Sequence, residues 1–495
     1  MATTRETPIQ ISKEEFQKIG HKLVDDIANF ISSIEERPVT TGESPSQLQE
    51  LLNVRSLPEH GSDATGIFSI ATKLLFNHSL FNGHPKFLGY ITSSPAPIGI
   101  LAEMLATTIN PNVGAQILSP MATEIEKQTV KWLAEFIGVS PSYGGLLVSG
   151  GNMANFTAFL AARTAKAPKS IKEDGLANSG KLVIYCSKTT HTWIEKAAIL
   201  FGLGSKSIRW IPADSANIMD NKILDKTIRE DIKNGCKPIM VIGTAGDVST
   251  GAVDNMKEIA AICKTYDLWF HIDGAYGIPA AVIPKLKTLF EGIAEADSIA
   301  LDPHKWLYSP LEAGCTLVKN PQHLIDTYSS HPEYYNFGNA DLTQNYYEYG
   351  LQNSRGFRAL KVWMALQHVG RSGYIKMISQ DIELAELLFV EATKHPELEA
   401  ITHSLSITTL RYVPLHYPQD KKKDEYLNKL NEKLLNTLQQ GGEVFLSNAM
   451  VQGKYCLRGC IVNFRTSSKD IREIIEIIVK EGRSTHKQLQ ASTLK

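Results

Sequence analysis

The strongest constraint on the fold is an alternation of short β-rich runs with helical runs between about residues 96 and 320. The clearest strand-like runs are residues 182–185, 239–242, 268–272 and 315–318. Between two of them, Met256 to Tyr266 has apolar residues at the three- and four-residue spacing of a helix. Strands that alternate with helices predict an α/β fold, with a mainly parallel sheet sandwiched by helices. Ligands of such sheets bind beyond the carboxyl ends of the strands.

The 495-residue chain is predicted to divide into three parts. Residues 1–95 form an N-terminal helical dimerisation segment. Its first helix begins at a capping box, Ser12 to Glu15, and carries an apolar stripe that needs a partner. Residues 96–372 form a large cofactor-binding domain around the parallel sheet. Residues 373–495 form a small C-terminal α+β domain, in which residues 460–464 are predicted to be a strand.

Composition and charge exclude several classes of function. The 51 Lys and Arg against 52 Asp and Glu give a formal net charge of −1, which favours neither nucleic acid nor an anionic membrane as a partner. Six cysteines occur without a CxxC pair, as in a protein of a reducing compartment. Residues 1–10 lack the apolar core of a signal peptide, and the apolar run 97–109 is too short to cross a membrane. We therefore predict a cytoplasmic protein with small-molecule chemistry and no metal site.

Two residues together predict the chemistry. Lys305 lies between apolar residues, 32 positions after Asp273 (305 − 273). Desolvation favours the neutral amine of a lysine, which can form a Schiff base with the aldehyde of pyridoxal 5′-phosphate (PLP). Asp273 ends an apolar strand, where a partly buried carboxylate needs a cationic partner. Since the protonated pyridine nitrogen of PLP is such a partner, the pair indicates PLP chemistry, although a structural arginine is an alternative partner.

Residues that could hold the cofactor phosphate lie in two places. Gly150, Gly151 and Asn152 follow an apolar strand and open a helix, where backbone N–H groups and the helix dipole favour an anion. An ordinary tight turn is the alternative interpretation of the two glycines. The imidazole of His304 and the hydroxyl of Ser298 are the other candidates.

Two further residues are predicted to contact the cofactor ring. His191 follows the strand at 182–185, so its imidazole can stack on an aromatic ring or meet a substrate carboxylate. A histidine with purely local hydrogen bonds is the alternative. Ala275 is small enough for a flat ring to lie against the backbone.

Seven ordered segments resemble the group II PLP-dependent decarboxylases, a family that includes aromatic-L-amino-acid decarboxylase. The resemblance covers nearly the whole chain and is carried by His84 to Tyr90, Ser149 to Asn155, His191, His271 to Gly277, Asp302 to Trp306, Arg355 to Trp363 and Ile461 to Thr466. It implies a type I PLP-dependent (aspartate aminotransferase-like) fold. It also implies a homodimer whose active sites lie at the subunit interface.

The resemblance implies roles for individual residues. Lys305 carries the cofactor, Asp273 pairs with the pyridinium nitrogen and His191 stacks on the ring. The substrate pocket is lined by Tyr90, Ile91, Thr92 and Ser93. In the family, a tyrosine of a mobile loop returns a proton to the substrate after CO₂ leaves. Spacing from the arginine at 355 assigns this role to Tyr346, with Tyr347 and Tyr349 as alternatives.

Three residues depart from the family pattern. Asp302 stands where several members have asparagine, Gly356 where many have a second arginine, and Leu311 where aromatic-specific members often have phenylalanine. We expect α-decarboxylation of an L-amino acid to the amine and CO₂, with an aromatic substrate ahead of glutamate or aspartate. Aldehyde-forming or transaminase-like PLP chemistry and a non-catalytic binding protein on the same fold are the alternatives.

Overall fold

The computed structural model describes residues 5, 7–53, 56–330, 344–415, 417 and 423–493. The chain starts with three helices, α1 (Lys13–Ser32), α2 (Pro45–Leu52) and α3 (Ala64–Asn77). The Oγ atom of Ser12 accepts a hydrogen bond from the backbone N–H of Glu15 at 3.0 Å, which is one of the two bonds of the predicted capping box. The rings of Phe30 and Phe76 stack at a centroid distance of 4.4 Å and hold α1 against α3.

A seven-stranded sheet forms the centre of the molecule. Its strands are β1 (Gly144–Val148), β2 (Lys181–Ser187), β3 (Ile208–Ile211), β4 (Cys236–Thr244), β5 (Trp269–Asp273), β6 (Ser298–Leu301) and β7 (Gly314–Val318). They lie in the order β1-β7-β6-β5-β4-β2-β3, and β7 runs in the direction opposite to that of the other six. Strands β2, β4, β5 and β6 are buried along nearly their whole length, as in a parallel sheet covered on both faces. The predicted mainly parallel sheet is confirmed.

Helices cover both faces of this sheet. The helices of this part of the chain are α4 (Pro97–Ile109), α5 (Pro120–Ile137), α6 (Gly151–Lys166), α7 (Ile171–Asp174), α8 (Trp193–Leu200), α9 (Asn221–Lys233), α10 (Met256–Tyr266) and α11 (Gln322–Tyr328). One apolar core contains residues of α5, α9 and α10, and another contains residues of α6 and α8. Trp269 and Phe270 of β5 belong to different cores, because successive side chains of a strand point to opposite faces. All six cysteines are free and buried.

The C-terminal part follows a long helix, α12 (Ala359–Lys394), whose helical geometry is interrupted at Gly370 with a φ of 65°. The predicted domain boundary between residues 372 and 373 falls inside α12. A four-stranded antiparallel sheet comes next, with the order β10-β11-β9-β8. Its elements are β8 (Leu398–Ser404), β9 (Ile407–Tyr412), α13 (Lys423–Gly441), β10 (Ser447–Val451), β11 (Lys454–Cys460) and α14 (Ser468–Thr493).

This composition confirms the α+β character of the C-terminal part, but the strand predicted at 460–464 is wrong. Strand β11 already ends at Cys460. The backbone N–H of Ile461 still donates to the backbone O of Ser406, one position beyond the last β11–β9 pair, Cys460 and Ile407. Because β9 begins at Ile407, the apolar run after Cys460 has no further partner in that strand.

The segment at residues 84–90 joins the C-terminal sheet to the large part of the molecule. The backbone N–H of Leu88 donates to the backbone O of Phe445 at 2.9 Å, and the N–H of Cys460 donates to the backbone O of Leu88 at 2.9 Å. The N–H of Tyr90 donates to Oγ of Ser447 at 3.2 Å. These bonds fix Tyr90 between the two sheets.

Two early helices present apolar side chains to solvent. No residue of α3 is buried, and its exposed residues include Ile67, Phe68, Ile70 and Leu75. Helix α4 exposes Leu101, Met104, Leu105 and Ile109. Large contiguous apolar patches are uncommon on monomers, so these faces are typical of a surface that contacts another protein surface. Within the described ranges, no helix combines the length and the hydrophobicity needed to cross a membrane.

Candidate active site

A cavity of ≈ 480 Å³ lies at the carboxyl ends of the central strands. Residues that follow β1, β2, β4, β5 and β6 contribute to its walls, as expected for a parallel sheet. The predicted site residues that line it are Tyr90, Ile91, Thr92, Gly150, Gly151, Asn152, His191, Asp273, Ala275, His304 and Lys305. The fold therefore brings five separate segments of the chain to one place.

Lys305 lies on the turn after β6. Its Nζ atom is 3.0 Å from Oδ2 of Asp302, and its side chain is 22% exposed. Asp302 is almost fully buried, and neither of its carboxylate oxygens accepts a hydrogen bond within the described structure. The 3.0 Å approach is therefore an ion pair without well-directed hydrogen-bond geometry.

Asp273 is the last residue of β5, so it ends an apolar strand as predicted. The indole N–H of Trp193 donates to its Oδ2 at 2.7 Å, and the backbone N–H of Ala275 donates to its Oδ1 at 3.2 Å. The carboxylate is buried but borders the cavity. Both of these donors are neutral, so a protonated ring nitrogen in the cavity would supply the positive partner that a buried carboxylate requires.

His191 follows β2 and remains exposed at the cavity. Its Nδ1 atom accepts the backbone N–H of Trp193 at 3.3 Å, so Nε2 carries the proton of the neutral ring. Partial removal of water lowers the pKa of His191, an effect that the negative charge of Asp273 opposes and the positive charge of Lys305 reinforces. A neutral, planar ring is suited to stacking on an aromatic cofactor.

The N-terminus of α6 is a candidate phosphate site. Gly150 has a φ of 145°, which side-chain-bearing residues rarely adopt. At Gly151, a Cβ atom would lie 2.7 Å from Oδ2 of Asp302, so glycine is required for the close approach. His304 accepts the backbone N–H of Ala313 at Nδ1, 3.1 Å away, and burial lowers its pKa. The first turn of α6 thus offers backbone N–H groups to an anion from the cavity.

Two predicted contacts differ in the structure. Ser298 is the first residue of β6, at the end of the strand away from the cavity, and it is fully buried. Its Oγ atom lies 2.8 Å from Nε1 of Trp269 and 2.8 Å from Nδ1 of His271, so the prediction that it binds phosphate is corrected. Ser93 does not line the cavity either, because its hydroxyl donates to the backbone O of His304 at 2.9 Å. Ser93 thus supports the turn that carries Lys305.

The structure does not bring Tyr346 to the cavity. Its side chain is 1% exposed in the core beside α6, and its hydroxyl has no hydrogen-bond partner in the described structure. Burial raises the pKa of this hydroxyl well above its ordinary value. The prediction that Tyr346 donates a proton is corrected for this conformation, and neither Tyr347 nor Tyr349 lines the cavity. Two other tyrosines near it in sequence, Tyr334 and Tyr335, lie outside the described residues.

Arg458 is a site residue that sequence analysis missed. It lies on β11, is 4% exposed and lines the cavity. Its Nη2 donates to the backbone O of Tyr90 at 2.5 Å, while its Nε has no hydrogen-bond partner in the described part of the chain. Arg458 and Lys305 are the two Lys or Arg residues among the described cavity-lining residues. The one sign of this role in the sequence was a charged residue, Arg458, inside an apolar strand. Its partner, Tyr90, lies far away in sequence.

The remaining wall is mainly apolar. Ile91, Val248 and Leu311 line the cavity together with Tyr90, and Leu311 is 63% exposed. Gly356 does not line it, and a Cβ atom built at Gly356 would meet no atom within 4 Å. Of the three departures from the family pattern, Leu311 and Asp302 therefore affect the cavity directly.

The fold and the site define the class of protein as an α/β enzyme built for PLP. Lys305 and Asp273 suit the aldehyde and the ring nitrogen, and the glycine cradle at α6 suits the phosphate. Comparison with known proteins agrees with this class. A family model, the pyridoxal-dependent decarboxylase conserved domain, matches residues 45–410, and the chain belongs to this family of PLP-dependent amino acid decarboxylases.

Individual relatives cover almost the whole chain. An aromatic-L-amino-acid decarboxylase of Bacillus atrophaeus is 34% identical over 470 residues, which are 94% of this chain and 95% of that protein. The solved structure of Catharanthus roseus tryptophan decarboxylase in complex with L-tryptophan is similar with a TM-score of 0.86 and 26% identity, and covers 97% of this chain and 100% of that one. Rhodiola rosea 4-hydroxyphenylacetaldehyde synthase has a TM-score of 0.85 and 26% identity, with 96% and 99% coverage.

These similarities confirm the predicted family, the type I PLP-dependent fold, PLP as the cofactor and amino acid decarboxylation as the enzyme class. They leave the substrate and the product open, since the relatives include both a decarboxylase and an aldehyde synthase. In the described ranges, no group of three or more His, Cys, Asp or Glu residues could hold a metal ion.

Proposed function

We propose that this enzyme releases the α-carboxylate of an aromatic L-amino acid as CO₂ and forms the amine. One observation carries the proposal, namely a single cavity in which Lys305, Asp273, His191 and Arg458 meet below a largely apolar wall. The relative from Bacillus atrophaeus is named for aromatic amino acids, and the structure from Catharanthus roseus holds L-tryptophan. Both support an aromatic substrate.

The proposed roles of the residues follow from their positions. PLP, when bound, supplies an electron sink for the bond to the carboxylate. Lys305 carries the cofactor, and the buried carboxylate of Asp273 keeps the ring nitrogen positive. Gly150 to Asn152 hold the phosphate through backbone N–H groups, and the exposed ring of His191 stacks on the cofactor.

Arg458 is the proposed partner of the substrate α-carboxylate. Its guanidinium is buried, and its unpaired Nε leaves it with capacity for an anion. The bond from Nη2 to Tyr90 holds the group in a fixed orientation, which would fix the direction of the carboxylate that leaves. Returning a proton to the substrate is assigned to no residue of the cavity, because Tyr346 lies in the core.

An acidic amino acid is the second candidate substrate, because an arginine could equally bind a side-chain carboxylate of glutamate or aspartate. The apolar side chains of Ile91, Val248 and Leu311 favour the aromatic alternative, because they would leave a second carboxylate unpaired. Substitution of Leu311 by Arg would be expected to shift the preference towards acidic substrates, whereas Leu311→Phe would retain the aromatic preference.

The proposed assembly is a homodimer with active sites near the interface. Its support is the exposed apolar faces of α3 and α4, which together would bury a substantial apolar area against a second copy. Leu311 of the cavity wall and Glu103 of α4 line a neighbouring cleft, so α4 lies near the active site. The cytoplasm is the proposed location, supported by six buried, free cysteines.

The test is a panel of L-amino acids incubated with the PLP-loaded enzyme, with CO₂, amine and aldehyde measured together. We expect CO₂ and an equal amount of amine from an aromatic amino acid and no turnover of glutamate or aspartate. Turnover of an acidic amino acid alone would contradict the aromatic proposal. Aldehyde without amine would favour the reaction named for the Rhodiola rosea relative.

The attachment of PLP is tested separately. Lys305→Ala should remove the chromophore that borohydride reduces, whereas Lys319→Ala, a change at a partly exposed lysine away from the cavity, should keep it. A reducible chromophore that persists in Lys305→Ala would refute the assignment of the cofactor lysine.

A further inference from the structure

Asp302 is a buried acid whose bonding is incomplete. It is 1% exposed, and both of its carboxylate oxygens lack a hydrogen-bond donor in the described structure. Its Oδ2 is close enough to the first turn of α6 that a Cβ atom at Gly151 would lie 2.7 Å from it. The carboxylate therefore borders the proposed phosphate site, and its position is independent evidence that this helix terminus faces a ligand.

The groups that face Asp302 come from several elements. Lys305 is the nearest cation, with its Nζ atom 3.0 Å from Oδ2, and Nε2 of His304 is 3.7 Å away. The charge of Asp302 also acts on His191 after β2 and raises the pKa of the Cys315 thiol on β7, where burial is the largest cause. From α6 it faces the uncharged Gly151. Lys305 is thus its principal counter-ion when no phosphate is present.

Two requirements conflict with this ion pair once the cofactor binds. A lysine must lose a proton before its amine can attack an aldehyde. A buried carboxylate beside a phosphate would bring two negative charges together in a region that water does not screen, which disfavours the charged acid. A single proton transfer satisfies both requirements.

We infer that Asp302 accepts the proton of Lys305 when PLP binds and then donates it in a hydrogen bond to the cofactor phosphate. An N–H bond of the Lys305 ammonium breaks and an O–H bond forms on Asp302, so the pair changes from two charges to two neutral groups with no net proton uptake. The resulting carboxylic acid presents an O–H donor where an asparagine would present an N–H donor. This inference depends on the phosphate position proposed above.

Infrared difference spectroscopy of the PLP-loaded enzyme against the same enzyme stripped of PLP tests the inference. We expect loading to create the C=O band of one protonated carboxyl group per site, which moves in D₂O and is missing in Asp302→Asn. Asp302→Glu keeps a carboxyl group and should restore a band. Asp254→Asn removes a different buried carboxyl, outside the cavity lining, and should leave the band unchanged.

The outcomes separate this inference from the proposed function. Two results overturn the proton transfer but keep the proposal that Lys305 carries the cofactor. One is a Lys305-dependent chromophore without a new carboxyl band. The other is such a chromophore with a carboxyl band that persists in Asp302→Asn. Absence of the chromophore in the wild-type enzyme overturns the proposed PLP attachment itself. If Asp302→Asn does not fold, the carboxyl band of Asp302→Glu decides the result. Its position and its D₂O shift must then differ from those of the wild-type band.

Discussion

Asp381 should make the stability of this enzyme fall as the pH rises towards neutrality. It is buried on α12, and its Oδ2 accepts hydrogen bonds from the indole N–H of Trp306, at 2.8 Å, and from the hydroxyl of Tyr308. Burial raises the pKa of Asp381 from 3.8 to about 7, although these two donors oppose the shift. The carboxyl thus anchors the two aromatic residues that follow the cofactor lysine.

The magnitude and the sign follow from proton binding. The difference between about 7 and 3.8 is about 3 pKa units, or on the order of 4 kcal/mol in total. Because the folded state holds the proton more tightly, this contribution is fully present below the unfolded-state pKa and is lost as the pH rises through about 7. Of the total, roughly 2–3 kcal/mol should disappear between about pH 5 and about pH 8.

Asp381→Asn isolates this effect, because an amide keeps an acceptor oxygen but does not titrate. The free energy of unfolding in urea should be measured for both proteins at several pH values, and the variant should gain roughly 2–3 kcal/mol relative to wild type from about pH 5 to about pH 8. Asp381→Leu should instead cost about 2–6 kcal/mol, because it leaves two buried donors unpaired. A difference between wild type and Asp381→Asn that does not change with pH would refute the reasoning.

Three further changes test the cavity. Trp193→Phe removes the indole donor to Asp273. This change should weaken PLP binding on the order of tenfold, measured by titration of the stripped enzyme. Unchanged affinity would contradict the importance of this bond. Gly151→Ala would bring a Cβ atom to 2.7 Å from Asp302 and should give a folded protein, by circular dichroism, without the PLP absorbance band. Arg458→Gln should raise KM on the order of tenfold to a hundredfold while the PLP band stays the same, and an unchanged KM would exclude Arg458 from substrate binding.

Local patterns predicted the mainly parallel central sheet, and the structure brings Asp273 and Lys305 to one cavity at the ends of its strands. The strand ending at Asp273 and the turn carrying Lys305 follow from apolar runs that stop abruptly at polar residues, which is how a buried parallel sheet ends at a ligand site. Ser298 shows the limit of this reasoning. It is close to Lys305 in sequence, but it starts the strand that Lys305 follows, so the length of β6 separates it from the cavity.

Features that depend on distant partners could not be predicted in this way. Tyr346 was assigned by spacing along the chain, and spacing does not report that its side chain packs into the core beside α6. Arg458 and Tyr90 are joined by one hydrogen bond across 368 positions of sequence, and no local periodicity encodes such a pairing. Long-range contacts of this kind are set by how the sheets dock.

The bond between Arg458 and Tyr90 has a consequence for biosynthesis. A chain made from its N-terminus acquires Lys305 and Asp273 well before β11, so an incomplete chain can contain the residues proposed to bind the cofactor while one wall of the cavity is still missing. The backbone of Tyr90, with a φ of 51°, also lacks the donor that holds it until Arg458 has been made. The proposed recognition of the amino acid by Arg458 would therefore be among the last properties that the growing chain gains, after nearly all of its sequence has been translated.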